Sequence, residues 1–268
     1  MEKLTHISAS QLATYQRCGE QYRRRYIEGE VIPPKVSMVS GTAVHKARST
    51  NLAQKITTKL DLPQEQVIQA SRDSLDLSFQ GEILLDAEDL SIKQAKDGAI
   101  DKAARMTACD YDVFQRTITP THVEEQIKVE VPGLGRDIVG ILDTADSDRV
   151  VRDLKTMAKT PPEDAAEKSD QLTTYALLYK TQTGHLPEHV QLDSVIDLKS
   201  GTKGVARVAM RSDEDLDMIL RRYFAAIQAI DKGVFVPAPS DSWQCSAKYC
   251  GYSMSCPYFR RGDSRPEN

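Results

Sequence analysis

Three extended runs in succession between Thr121 and Lys155 constrain this chain more than any other feature. From Thr121 to Val131 polar and apolar residues alternate, with Val129 and Val131 on one face, which predicts a half-buried strand. Pro132-Gly133 supplies turn chemistry. A second run, Asp137 to Asp143, is rich in β-branched residues and ends at the polar stretch Thr144 to Asp148. A third, Val150 to Lys155, follows at once. Paired as an antiparallel hairpin, the second and third runs bring Asp143 and Asp153 towards each other across the ladder. Residues two apart on a strand share a face, so Asp153 and Lys155 point together while Leu154 points into the core. Two carboxylates and an ammonium group are the parts needed to hold a divalent cation and ready water for attack on a phosphodiester.

Size and charge limit the alternatives. A chain of 268 residues can bury a sizeable interior, and 40% hydrophobic with 28% charged residues is an ordinary globular composition. No run approaches the roughly 18 to 20 apolar residues of a membrane span, and Met1 to His6 lack the apolar core of a signal peptide. A cytoplasmic protein is expected, with no membrane partner. The net charge of -4 gives no global attraction to nucleic acid, so contacts must come from local basic groups such as Arg23-Arg24-Arg25, Arg221-Arg222 or Arg260-Arg261.

Five cysteines occur, and Cys245, Cys250 and Cys256 crowd together as C-x4-C-x5-C. In a cytosolic protein such spacing points to a metal or iron-sulfur site rather than a disulfide frame. Three thiolates leave a tetrahedral set one ligand short, and Cys18, on the polar side of a helix predicted from Ser8 or Ser10 to about Glu28, is the natural fourth. Four thiolates suit Zn2+ or a [4Fe-4S] cluster equally. Cys109 reads as a small buried apolar residue.

Along the chain, Gly41-Thr42-Ala43-Val44-His45 opens a second helix, and residues 62–116 read as helical without a strand signal. A helix from Ala165 to Thr183 carries Gln171 and Tyr175 one turn apart; strands are predicted over Val190–Leu198 and Gly204–Met210, and a last helix over Ser212–Lys232.

Taken in order, these segments resemble the PD-(D/E)xK nuclease superfamily, in its RecB-like branch with the CRISPR-associated iron-sulfur exonucleases, which implies a phage or prokaryotic member. Ser8 to Cys18 is similar to the family's opening helix, Gly41 to His45 to its Gly-x-x-x-His segment, Gly140-Ile-Leu-Asp143 to the motif of the first catalytic aspartate, Asp153-Leu-Lys155 to the D/E-x-K, and Gln171-x-x-x-Tyr175 to the helical QxxxY motif. The last cysteine spacing departs from the commoner C-x2-C-x5-C. The resemblance implies an α/β fold with a central mixed sheet flanked by helices, as one domain over 1–268: a helical insertion at 62–116, a catalytic core at 119–210 and a cysteine lobe at 240–260 closing onto Cys18. It further implies His45, Asp143 and Asp153 as ligands of Mg2+ or Mn2+, Lys155 serving the water, Gln171 and Tyr175 supporting the lysine and the substrate, and a [4Fe-4S] cluster on Cys18, Cys245, Cys250 and Cys256. The implied activity is DNA cleavage, exonucleolytic, on single strands or ends, with a helicase or a recombination or CRISPR partner. A DNA-binding accessory protein on a retired nuclease fold, or a redox sensor built on the cysteines, would use the same parts differently.

Overall fold

The computed structural model describes residues 4–85 and 91–259. The elements run β1 (His6–Ile7), α1 (Ala9–Arg17), α2 (Gly19–Tyr22) with a π turn over Arg23–Ile27, α3 (Val36–Thr58), α4 (Gln64–Ser78), α5 (Ile92–Val113), β2 (Pro120–Val129), β3 (Asp137–Asp146), β4 (Val150–Met157), α6 (Asp170–Thr183), β5 (His189–Leu198), β6 (Gly201–Ala209) and α7 (Asp213–Asp231).

The strands form a mixed six-stranded sheet in the order β1-β3-β4-β5-β6, with β2 also on β3. Its two faces carry separate cores. Val151, Leu142, Val190 and Leu192 pack with Leu172 and Leu178 of α6 and Ile219 and Tyr223 of α7. Leu154 and Val195 pack on the other side, with Val44 and Leu52 of α3 and Ala99, Ala103 and Met106 of α5. Small residues along α5 let it lie close to α3. The α/β class and its helical flanks agree with the sequence expectation, and the segment 62–116 contributes α4 and α5.

The sheet is forked. β3 pairs with β2 from Ile138 to Asp146, and β4 pairs with β5 along its whole length, yet β3 and β4 meet only at Thr144↔Arg152 and Ala145↔Val151. On that same edge β3 pairs with β1 at Asp137 and Ile138, which leaves Val139 to Asp143 open between the two partners. Asp143 fills part of the gap itself: its Oδ2 accepts the Leu154 N–H at 3.2 Å, a donor that the missing ladder would otherwise have used.

Two expectations are corrected. The helix predicted from Ser8 to Glu28 is broken at Cys18, whose extended φ of -162° ends α1 and starts α2. Cys18 is therefore a junction residue rather than one on a helix face, and its Sγ accepts the Gln21 N–H at 3.4 Å. The helix predicted from Ala165 begins only at Asp170, because Ser169 caps it by accepting the Leu172 N–H.

Candidate active site

α3 approaches β4 closely one turn before His45. A Cβ at Gly41 would lie 2.9 Å from the Thr156 Oγ1, so a side chain there would push the helix away from the strand. With that approach, the His45 Nδ1 lies 3.5 Å from the Asp143 Oδ2. Burial, and then the Lys155 ammonium, lower the His45 pKa to about 4, so the ring is a neutral imidazole with a lone pair to offer.

The fork brings Asp143, Asp153 and Lys155 together. The Lys155 Nζ donates to the Asp153 Oδ1 at 2.9 Å, and Asp153 is 1% exposed. Burial, opposed by Lys155, raises Asp153 to about 6, with Asp143 adding to the rise. Burial also raises Asp143, against the pull of Lys155 and the Leu154 N–H. From α6, the Gln171 Nε2 donates to the Tyr175 hydroxyl at 2.8 Å. Burial and the two aspartates hold that phenol well above its usual range, so it stays protonated. Gln171 thus bonds Tyr175 rather than Lys155, and both side chains line a cleft of about 940 Å³ together with His45, Asp143 and Lys155.

Glu124 is the residue that the sequence left unmarked. It sits on β2 with a left-handed φ of 48°, a strained conformation for a non-glycine residue. Its carboxylate joins His45 and Asp143 with ligand atoms all within 4.8 Å of one another, the only such trio of metal-ligating side chains among the described residues. Partial burial and then the Asp143 charge push Glu124 up to about 7. A cation with ligands at about 2.0 to 2.1 Å needs its donors within ~4.2 Å of one another, and a neutral imidazole with crowded carboxylates is a donor set that suits it. Mutual repulsion among these acids is a cost that a cation would relieve.

That crowding has a measurable consequence. The folded pKa values of Glu124, Asp143 and Asp153 are raised, so the native state holds protons that the unfolded chain has lost, and stability present at low pH is lost as pH rises towards about 7. His45, lowered, works in the opposite sense only below its ordinary 6.5. Metal-free protein is therefore expected to melt at lower temperature at pH 8 than at pH 5, with added Mg2+ or Mn2+ raising the melting temperature far more at pH 8. Equal metal-induced shifts at both pH values would count against a cation among these groups.

The four cysteines predicted to converge do line one cavity, of about 170 Å³, between the first two helices and the C-terminal segment. Gly19 makes room: a Cβ there would meet backbone atoms of Phe235 and Val236 at 2.8 Å or less. The Gly19 N–H donates to the Val236 carbonyl at 2.7 Å, and the Ala238 N–H reaches the Cys18 Sγ at 3.3 Å. Burial raises the Cys250 thiol, and the other three cysteines add to the rise. Arg24 is spent holding this lobe, bonding Glu20 and both the hydroxyl and the carbonyl of Ser255. Arg23 pairs with Glu20 and Glu28, and Arg222 with Asp170, so these two side chains are taken up by neighbouring carboxylates; Arg260-Arg261 lies outside the described residues.

A mixed sheet between helical layers, forked where the acids gather, defines a restriction-endonuclease-like fold. The chain belongs to the PD-(D/E)XK nuclease superfamily, whose family model matches residues 6–257. Its fold is similar to the crystal structure of a provisionally named exonuclease from Eubacterium rectale, with a TM-score of 0.54 and 14% identity over 90% of this chain and 86% of that one. The crystal structure of SSO0001 aligns over 97% of this chain and 89% of that one, at 14% identity and a TM-score of 0.46. No curated protein shows significant sequence similarity to the chain. No helix among the described residues is long and apolar enough to cross a membrane.

Proposed function

We propose that this nuclease is a Mg2+- or Mn2+-dependent deoxyribonuclease of the RecB-like iron-sulfur branch, acting from ends or on single strands within one nuclease domain. The observation that carries the proposal is the convergence of His45, Glu124 and Asp143 beside the Asp153–Lys155 pair in the sheet fork. His45, Glu124, Asp143 and Asp153 would hold the divalent ion, which supplies charge neutralisation for the phosphoryl oxygens and acidifies water. Lys155, kept in place by Asp153, orients the attacking water and stabilises charge growing on the phosphorus oxygens. Tyr175, fixed by Gln171, offers its retained proton to a phosphate oxygen or the water. Ser10, Thr42, Lys46 and Ser49 line the cleft with further donors. End-labelled single- and double-stranded DNA, incubated with and without the divalent ion, tests the reading; no cleavage with either metal would refute it.

For the cysteines we favour the iron-sulfur cluster over zinc. Sulfurs around one zinc at about 2.3 Å stand ~3.8 Å apart, whereas no trio of the four described sulfurs lies within 4.8 Å. The wider spacing around a shared cavity suits a polynuclear group, and the two N–H···S contacts to Cys18 are of the kind that stabilise cluster sulfurs. Anaerobically purified protein is expected to be brown, with broad absorbance near ~400 nm. Cys18→Ser or Cys250→Ser should lose the colour and lower the melting temperature, because the group ties the C-terminal segment to the first helices. Colourless protein with stoichiometric zinc would overturn the choice.

A further inference from the structure

The cysteine lobe presents two aromatic rings to solvent that also line the cysteine cavity. Trp243 and Tyr249 are 63% and 56% exposed, with ring centroids 4.7 Å apart and planes at 89°. Exposed large aromatics grouped in this way mark a binding surface more often than chance. The Lys248 Nζ lies 5.8 Å from the Tyr249 centroid, and the Lys35 Nζ donates to the Lys248 carbonyl.

The rings are joined to the cleft. Lys35 caps α3, and Met38, 58% exposed and one turn further on, already lines the cleft that holds His45. At 1.5 Å per residue, the helix from Lys35 to His45 spans only about 15 Å, a stretch that a few nucleotides cross. Two rings exposed to 63% and 56% still offer roughly 180 to 300 Å², short of the ~800 Å² per partner of a stable protein interface but matched to the faces of one or two bases. A cation beside partly exposed aromatic rings is the combination that single-stranded nucleic acid uses without sequence preference.

We propose that Trp243 and Tyr249 form a stacking platform for the bases of a single strand whose backbone runs along the start of α3 into the metal cleft. This rests on the nuclease reading above and adds a second contact region to it.

Trp243 is the only tryptophan in the chain, so its emission reports the platform directly. Asp143→Asn protein, with Mg2+ present, is titrated with dye-labelled oligothymidylate while anisotropy and tryptophan emission are both followed. The expected result is quenching of Trp243 with the same midpoint as the anisotropy rise. Tyr249→Ala should weaken binding roughly ten-fold, and because Tyr249 also lines the cysteine cavity, Tyr249→Phe, which keeps the ring, should bind as the parent does. Binding that leaves Trp243 emission unchanged overturns the platform alone, whether or not the Tyr249 variant folds. Absence of any oligonucleotide binding overturns the platform and the nuclease reading together.

Discussion

Asp143→Asn and Lys155→Ala are each expected to lower DNA cleavage by about three orders of magnitude or more, with the fold retained. Asparagine keeps an oxygen that can accept the Leu154 N–H, so the backbone bond across the fork survives while the negative charge is lost. Lys155→Ala acts twice. It removes the ammonium from the cleft, and it removes the charge that holds down the already raised pKa of Asp153. Asp153 then keeps its proton near neutral pH and stops serving as a ligand, which also spares the fold a bare buried charge. The check is end-labelled DNA cleavage alongside thermal unfolding; either variant cutting at the parent rate would remove these residues from the chemistry.

The second large effect is on stability. Arg48→Ala is expected to cost about 3 to 5 kcal/mol, seen as a lower midpoint in guanidinium unfolding. Arg48 is 2% exposed; its Nε and Nη2 fork onto Asp110 of α5, and its Nη1 donates to Asp193 of β5 at 2.9 Å. The two carboxylates raise its pKa further despite its burial. Truncation leaves the buried Asp110 with the Gln115 amide alone, and Asp193 with the Gln191 amide and the more distant Arg152 at 3.8 Å. Arg48→Lys should recover only part of the loss, because one ammonium cannot reproduce the fork. Arg48 also lies one turn beyond His45, while Asp193 pairs in register with Leu154, between Asp153 and Lys155. The same bonds therefore align the helix and the strand that carry the site. A variant with unchanged unfolding would show that these ions contribute nothing net.

The parts of this arrangement that were legible in the sequence are those carried by local pattern. Alternating runs broken by Pro132-Gly133 and by the polar stretch after Asp143 gave β2, β3 and β4, but the ladder expected to carry Asp143 across to Asp153 stops one pair short, at Thr144↔Arg152. Glu124 could not be seen in this way. On a strand with polar residues on one side, another glutamate reads as solvent-facing, and only its left-handed backbone turns it towards His45 and Asp143. The Arg48 network was hidden for a different reason, since its partners lie 62 and 145 positions away. The break at Cys18 escaped notice because the helical pattern resumes beyond Gly19, a residue that a helix interior tolerates at a cost of about 1 kcal/mol; a tertiary contact also acts there, that of the Gly19 N–H with the Val236 carbonyl. The wide gap between β3 and β4 likewise depends on which strands each chooses as its other neighbour, a choice that no window of the sequence contains.

Cys18 sits near the start of the chain and its three companions near residue 250. All four sulfurs can therefore meet only once the residues between them, sheet included, have been synthesised. Any group held by all four would be seated after the strands that carry Asp143, Asp153 and Lys155 exist. The acidic cleft and the cysteine lobe are thus separable in order of synthesis, the one having all its residues by Tyr175 and the other only at Cys256.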